Sequence, residues 1–127
     1  MIRLLLVDDQ LAVRHSLRMR LGLEPDLQVV GEAGSGREAL SLVQHLAPDV
    51  VLMDVAMPDL DGIAATEALR TRSPRSAVVI LSIADDAQTQ ALARAAGAVA
   101  FVAKSGAMET LLSAIRLAAV QAEKSGE

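Results

Sequence analysis

The chain has no cysteine, tryptophan or tyrosine, and its one aromatic residue is Phe101. Without cysteine, a disulfide framework and a thiolate metal site are excluded, and a reducing cytoplasm is compatible with the sequence. With a single aromatic, the core has to be assembled from Leu, Val, Ile, Ala and Met. No apolar run approaches the roughly 18 residues needed to span a bilayer. β-rich sequence begins at Ile2, which leaves no room for a signal peptide ahead of it. There is no basic run either. A net charge of −4 argues against this segment gripping nucleic acid by itself, and nothing in it suggests a membrane partner. Lysine is scarce: ten of the twelve cationic residues are arginine, leaving Lys104 and Lys124.

What remains is the composition of one folded domain, 127 residues long, 52% hydrophobic and 22% charged. Five segments read as strands: "IRLLLVD", "LQVVGEA", "DVVLM", "AVVILS" and "AVAFVA". Each is followed by a segment with helical spacing. The first, "QLAVRHSLRMRLGLE", carries Val13, Leu17 and Leu21 on one face and is stopped by Pro25. "SGREALSLVQHLA" opens with a capping box, Ser35 and Glu38. "DGIAATEALRTR" starts at Asp61-Gly62. "DDAQTQALARAAG" is capped by Asp85-Asp86, with Gln88 completing a box, and is closed by Gly97. "GAMETLLSAIRLAAVQA" is the last. The strands are continuous apolar runs rather than alternating ones, so both faces of the sheet are covered. The expected fold is α/β: a doubly wound five-stranded parallel sheet, order 2-1-3-4-5, with five helices. Residues 1–122 form the domain, and 123–127 read as a tail or the start of a linker.

In such a sheet, ligands bind beyond the carboxyl ends of the strands, where the strand order reverses. The first strand ends in Asp8-Asp9, the third in Asp54, the fourth in Ser82 and the fifth in Lys104. The second ends in Gly31-Glu32-Ala33 and offers no comparable group. Three carboxylates at one crevice repel one another unless a cation is present. Oxygen donors alone suit Mg²⁺, and with no His or Cys in the set zinc does not fit. A Mg²⁺ of this kind usually shares a phosphate, whose other oxygens need the ammonium and the hydroxyl on the neighbouring strands. A lone lysine in an arginine-rich chain suits a compact point charge with movable donors, although a lysine can simply mark the end of a sheet. Asp54, likewise, could be an ordinary turn aspartate. His15 and His45 read as surface residues.

In "LLLVDD", "VVLMDVAMPDLDG", "VVILSIADD" and "GAVAFVAK" the chain resembles a response-regulator receiver domain of two-component signalling, a flavodoxin-like fold, from Met1 to about Ala122. The resemblance implies that Asp54 accepts a phosphoryl group from a histidine kinase. It implies that Asp9 and Asp54 ligate Mg²⁺ directly, with Asp8 helping through water and the backbone carbonyl of Ala56 as a further ligand. Lys104 would pair with the phosphoryl oxygens, and Ser82 would swing to hydrogen-bond one of them. Phe101 is then the switch ring, the alternative being a core filler. No enzyme turnover is implied beyond self-phosphorylation from donors and self-dephosphorylation.

"VVGEAGSGREAL", "LSIADD" and "LLSAIRLAA" resemble the NarL/LuxR class of transcription regulators, which implies DNA control through an output domain not in this chain. Ser105 follows Lys104 where most receivers have proline, and it reads as a cap for the last helix. Ile83 follows Ser82 where smaller residues are commoner, and its bulk is expected to narrow the approach to Asp54. In the last helix Met108, Leu111, Leu112, Ile115 and Ala119 make a core stripe, with Leu117 roughly opposite and exposed. Leu117 falls on the fourth-helix, fifth-strand, fifth-helix face that such receivers use for signalling or for homodimerisation on phosphorylation. Other readings stay open: a stand-alone receiver working by protein contact, a degenerate one acting only as a binding module, and a Mg²⁺-dependent phosphatase. The phosphatase would normally carry Asp-x-Asp on its first strand, and here the two aspartates are adjacent.

Overall fold

Strand and helix alternate from end to end in the computed structural model, which describes residues 1–83 and 86–125, with side chains up to residue 123. The order is β1 (Ile2–Val7), α1 (Leu11–Leu21), β2 (Leu27–Ala33), α2 (Gly36–Leu46), β3 (Val50–Asp54), α3 (Gly62–Arg72), β4 (Ala77–Ser82), α4 (Ala87–Ala96), β5 (Ala100–Ala103) and α5 (Met108–Ser125). All strand pairs are parallel and the sheet runs β2-β1-β3-β4-β5, as the alternation predicts. β3 and β4 are buried along their whole length, which explains why they read as unbroken apolar runs.

Successive residues of a strand point to opposite faces, so each strand feeds two core layers. Leu4 and Leu6 join Leu21 of α1 and Leu111, Leu112 and Ile115 of α5 on one face. Leu5 and Val7 join Val43 of α2, Leu69 of α3 and Ala93 of α4 on the other. In α5 the buried stripe is Leu111, Leu112, Ile115, Ala118 and Ala122, with Met108 and Ala119 half-buried at its margins. Leu117 is 70% exposed, as its angular position demands. No helix among the described residues is long and apolar enough to cross a membrane.

Several helix ends differ from expectation. α1 stops at Leu21, with Gly22 as its C-cap donating to Arg18 O, so Pro25 lies beyond the helix in the turn to β2. Glycine is a poor helix residue, and the chain has to turn back at once for Leu27 to pair with Ile2. α2 begins with Ser35 Oγ accepting from Glu38 N, while Glu38 Oε1 accepts from Gly34 N, one residue earlier than the ordinary box. α4 is capped by Asp86, which accepts from Thr89 N, so Gln88 is not the box residue; Asp85 lies outside the described residues. Ser105 is not at the cap position of α5: the helix starts at Met108 with Ala107 O accepting from Leu111 N, and Ser105 is an exposed residue of the preceding turn. α5 runs on to Ser125, into the segment read as tail.

Candidate acidic metal and phosphoryl site

Beyond the carboxyl ends of β1, β3, β4 and β5 the sheet gathers the polar residues that the strand ends announced. Asp8, Asp54 and Ser82 are buried, Lys104 is partly buried and Asp9 is exposed. One carboxylate oxygen from each of Asp8, Asp9 and Asp54 lies within 4.8 Å of the others. Lys104 Nζ donates to Asp8 Oδ2 at 2.9 Å and lies 3.3 Å from Asp54 Oδ1. One ammonium is thus shared between two buried carboxylates, with a third carboxylate beside them. Register produces this meeting: Val7 faces Met53, Asp54 faces Leu81, and Ser82 faces Ala103, the residue before Lys104.

The backbone behind Asp54 is held tightly. Gly62 N donates to Val55 O at 3.0 Å, and a Cβ on Gly62 would sit 2.0 Å from the Asp54 carbonyl oxygen. Only glycine lets α3 start so close to the end of β3. Asp61 caps that helix by accepting from Ala64 N at 2.8 Å, a structural role, as its place before the glycine suggested. Met53 and Met57 are buried core residues.

Burial raises the Asp54 carboxyl above the usual aspartate range, and the charge of Asp8 adds to it; Lys104 and a backbone hydrogen bond from Ala56 pull the other way without cancelling. Burial alone would depress the Lys104 ammonium, but its hydrogen bond to Asp8 and the charges of both aspartates hold it above the ordinary lysine value. The site is therefore a fixed cation inside a surplus of negative charge. Its donors are all oxygen, with no His or Cys in the cluster, and they fit a hard divalent cation such as Mg²⁺. His15 and His45 are exposed, and His45 Nδ1 lies 3.1 Å from Ser41 O.

Phe101 is half-buried on β5, opposite Ile80 in register, and packs against the layer shared by α2, α3 and α4. Ile83, directly after Ser82, is 78% exposed.

Two residues of the site's surroundings went unread in the sequence. Arg14 Nη1 donates to the Asp8 backbone carbonyl at 2.6 Å and Arg14 Nε to Glu32 Oε1 at 3.0 Å. Glu32 Oε2 also accepts from Arg18 Nη1 at 2.7 Å. In the sequence Glu32 offers nothing comparable to a strand-end aspartate; in the fold it anchors both arginines. Burial opposes its charge, yet the hydrogen bonds from Arg18 and Arg14 win and hold its carboxyl below the usual range. The register of β1 with β2 shifts between Leu4 and Leu5, which places Glu32 opposite Leu6. Without that irregularity Glu32 would pair with Val7 and point to the other face, away from α1.

The response regulator receiver domain family matches residues 4–116 of the chain. The transcriptional regulatory protein LiaR of Bacillus subtilis is 40% identical over 119 residues, which cover 93% of this chain and 56% of that protein. Protein-glutamate methylesterase/protein-glutamine glutaminase 2 of Methanospirillum hungatei JF-1 is 42% identical over 106 residues, 82% of this chain and 30% of that one. The chain therefore spans between 30% and 56% of the length of these curated relatives. Among solved structures, a LuxR-family two-component response regulator from Aurantimonas sp. SI85-9A1 superposes with a TM-score of 0.90 at 32% identity, covering 94% of this chain and 85% of that one.

Proposed function

The chain belongs to the response regulator receiver domain family, and on that premise we propose that Asp54 accepts a phosphoryl group from a histidine kinase in a Mg²⁺-dependent reaction. The observation that carries this is the buried Asp54 carboxylate, 3.3 Å from Lys104 and clustered with the oxygens of Asp8 and Asp9. Asp9, Asp54 and the Ala56 carbonyl would hold the cation, with Asp8 through water. The cation's contribution is charge neutralisation of the phosphoryl oxygens. The protein's own groups do the rest. A carboxylate oxygen of Asp54 is the nucleophile: the phosphorus–nitrogen bond of the donor breaks as a phosphorus–oxygen bond to Asp54 forms. Transfer of this kind demands alignment and electrostatic cover more than covalent help. Lys104 supplies that cover by shifting from carboxylate to phosphoryl oxygen, and the Ser82 hydroxyl turns towards the same group.

The movement of Ser82 is the proposed trigger for the switch. Phe101 on β5 follows it by repacking, because a phenyl ring has no hydroxyl with which to report a change. The output face is then α4, β5 and α5, with the exposed Leu117 on it, pairing in a homodimer on phosphorylation. Residues 1–122 act as the receiver, and 123–127 lead towards an output domain through which a cytoplasmic regulator would control DNA. The length and the names of transcription-regulator relatives such as LiaR support that assignment.

Intact mass after incubation with a small phosphodonor tests the reading. Wild type should gain one phosphoryl group only with Mg²⁺, and Asp54→Asn should gain none. Labelling of the Asp54→Asn protein, or none in wild type from a small donor or a kinase, would overturn it.

A further inference from the structure

We infer that Arg14 is a positioning residue for the cation site: through the peptide that joins Asp8 to Asp9, it sets the direction in which the Asp9 carboxylate points. The inference rests on reading the three aspartates as a Mg²⁺ site.

The Asp8 and Asp54 carboxylates are both tied to Lys104. Asp9 is exposed, and its side chain makes no hydrogen bond or ion pair among the described residues. Its direction is left to the backbone. The Asp8 side chain reaches over Asp9 to accept from Gln10 N at 2.9 Å, which closes a small turn but leaves its middle peptide able to flip, as the central peptide of a turn does. That middle peptide carries the Asp8 carbonyl and the Asp9 N–H in one plane. The carbonyl is the atom Arg14 holds, at 2.6 Å. A flip would break that bond and carry Asp9 with it.

Arg14 can serve as a fixed point because its other edge is also held. Nε donates to Glu32 at 3.0 Å, and the two side chains are only 16% and 20% exposed. A planar guanidinium bonded at two edges has little freedom. The chain of support therefore runs from β2 through Glu32 and Arg14 to the Asp8 carbonyl, and so to Asp9.

Calorimetric Mg²⁺ titration of the full chain, with melting in EDTA alongside, tests this on wild type, Arg14→Met, Arg14→Lys and Glu32→Gln. Arg14→Met keeps the apolar stem and should bind Mg²⁺ about tenfold more weakly, the size expected for an outer partner of a ligand. Lysine reaches the Asp8 carbonyl or Glu32 but not both, so Arg14→Lys should fall between, as should Glu32→Gln. A residue that merely stabilised the fold would lower the melting temperature and leave Mg²⁺ affinity unchanged. Wild-type affinity in Arg14→Met, with wild type binding normally, would overturn the inference alone. No Mg²⁺ binding by wild type would overturn the reading of the site and this inference with it. Should Arg14→Met fail to fold, Arg14→Lys decides by the same comparison.

Discussion

The aspartate cluster and the amino ends of the parallel sheet treat their carboxylates in opposite ways. At the amino ends three carboxylates each have a donor. Arg116 Nε donates to Asp26 Oδ2 at 2.9 Å and Nη2 to Glu24 Oε1 at 2.8 Å, while Asp49 Oδ2 accepts from Arg3 N at 2.8 Å. The hydrogen bond from Arg116 holds Asp26 below the usual aspartate range, and the same contact pushes Arg116 up. In the cluster Asp8 and Asp54 share one lysine, with the Asp9 carboxylate beside them, and burial pushes Asp54 up. An aspartate whose charge is met on the spot supports structure. One kept short of positive charge is prepared for something that arrives later.

The strongest blow to this contrast would come from the backbone. Gly62→Ala places a methyl group 2.0 Å from the Asp54 carbonyl oxygen, so β3 and α3 must part. Denaturant unfolding should show a loss of about 3 kcal/mol, the upper part of the range for overpacking, together with loss of phosphorylation. A variant as stable as wild type would mean that the carboxyl end is softer than its contacts indicate.

Asp54→Asn sharpens the comparison. The folded Asp54 pKa lies above the unfolded value, so the stabilising effect belongs to the protonated form: present in acid and lost as pH rises through the folded pKa. In EDTA at neutral pH the Asn variant should therefore be more stable than wild type, by about 1 kcal/mol, an ordinary single-residue effect. The gap should close as the pH falls below the ordinary aspartate range, and Mg²⁺ should stabilise wild type more than the variant. A variant less stable than wild type at neutral pH would show that Lys104 compensates the cluster fully.

Arg116→Ala probes the other end and has the smallest expected effect, because the pair is open to solvent and screened by salt. Its sign is the reverse of the Asp54→Asn result. The Asp26 pKa is depressed, so its contribution exists above the unfolded value and disappears as pH falls through the folded one. Melting temperatures should show a slight loss at neutral pH, erased by high salt or by acid. A loss that persists in acid would locate the role of Arg116 in packing of its stem rather than in charge.

Much of this was readable in the sequence because the fold is regular. Strands such as "VVLMD" are apolar on both faces, alternation with helices forces parallel pairing, and handedness limits the order. The site was readable because Asp8, Asp54, Ser82 and Lys104 close four of those strands. What escaped depended on three-dimensional register. Arg14 and Glu32 lie 18 residues apart and meet only because the β1–β2 pairing slips at Leu5, which no local pattern announces. Helix ends escaped for a different reason: Asp85 and Asp86 are both competent caps, and Gly22 and Pro25 are both competent stops, so composition cannot choose between neighbours.

The bond from Lys104 to Asp8 joins residues 96 positions apart. A contact of that span closes only after the intervening strands have paired, since the entropy of so large a loop must first be offset by shorter-range contacts. During synthesis the carboxylates emerge long before their counter-ion, and β5, which delivers it, is the last of the five strands of this sheet to leave the ribosome. A nascent chain consequently carries an acidic crevice without its ammonium. Under the proposed function, competence to take up a phosphoryl group then also requires that β5 has docked, so unfinished copies would stay silent towards a phosphodonor.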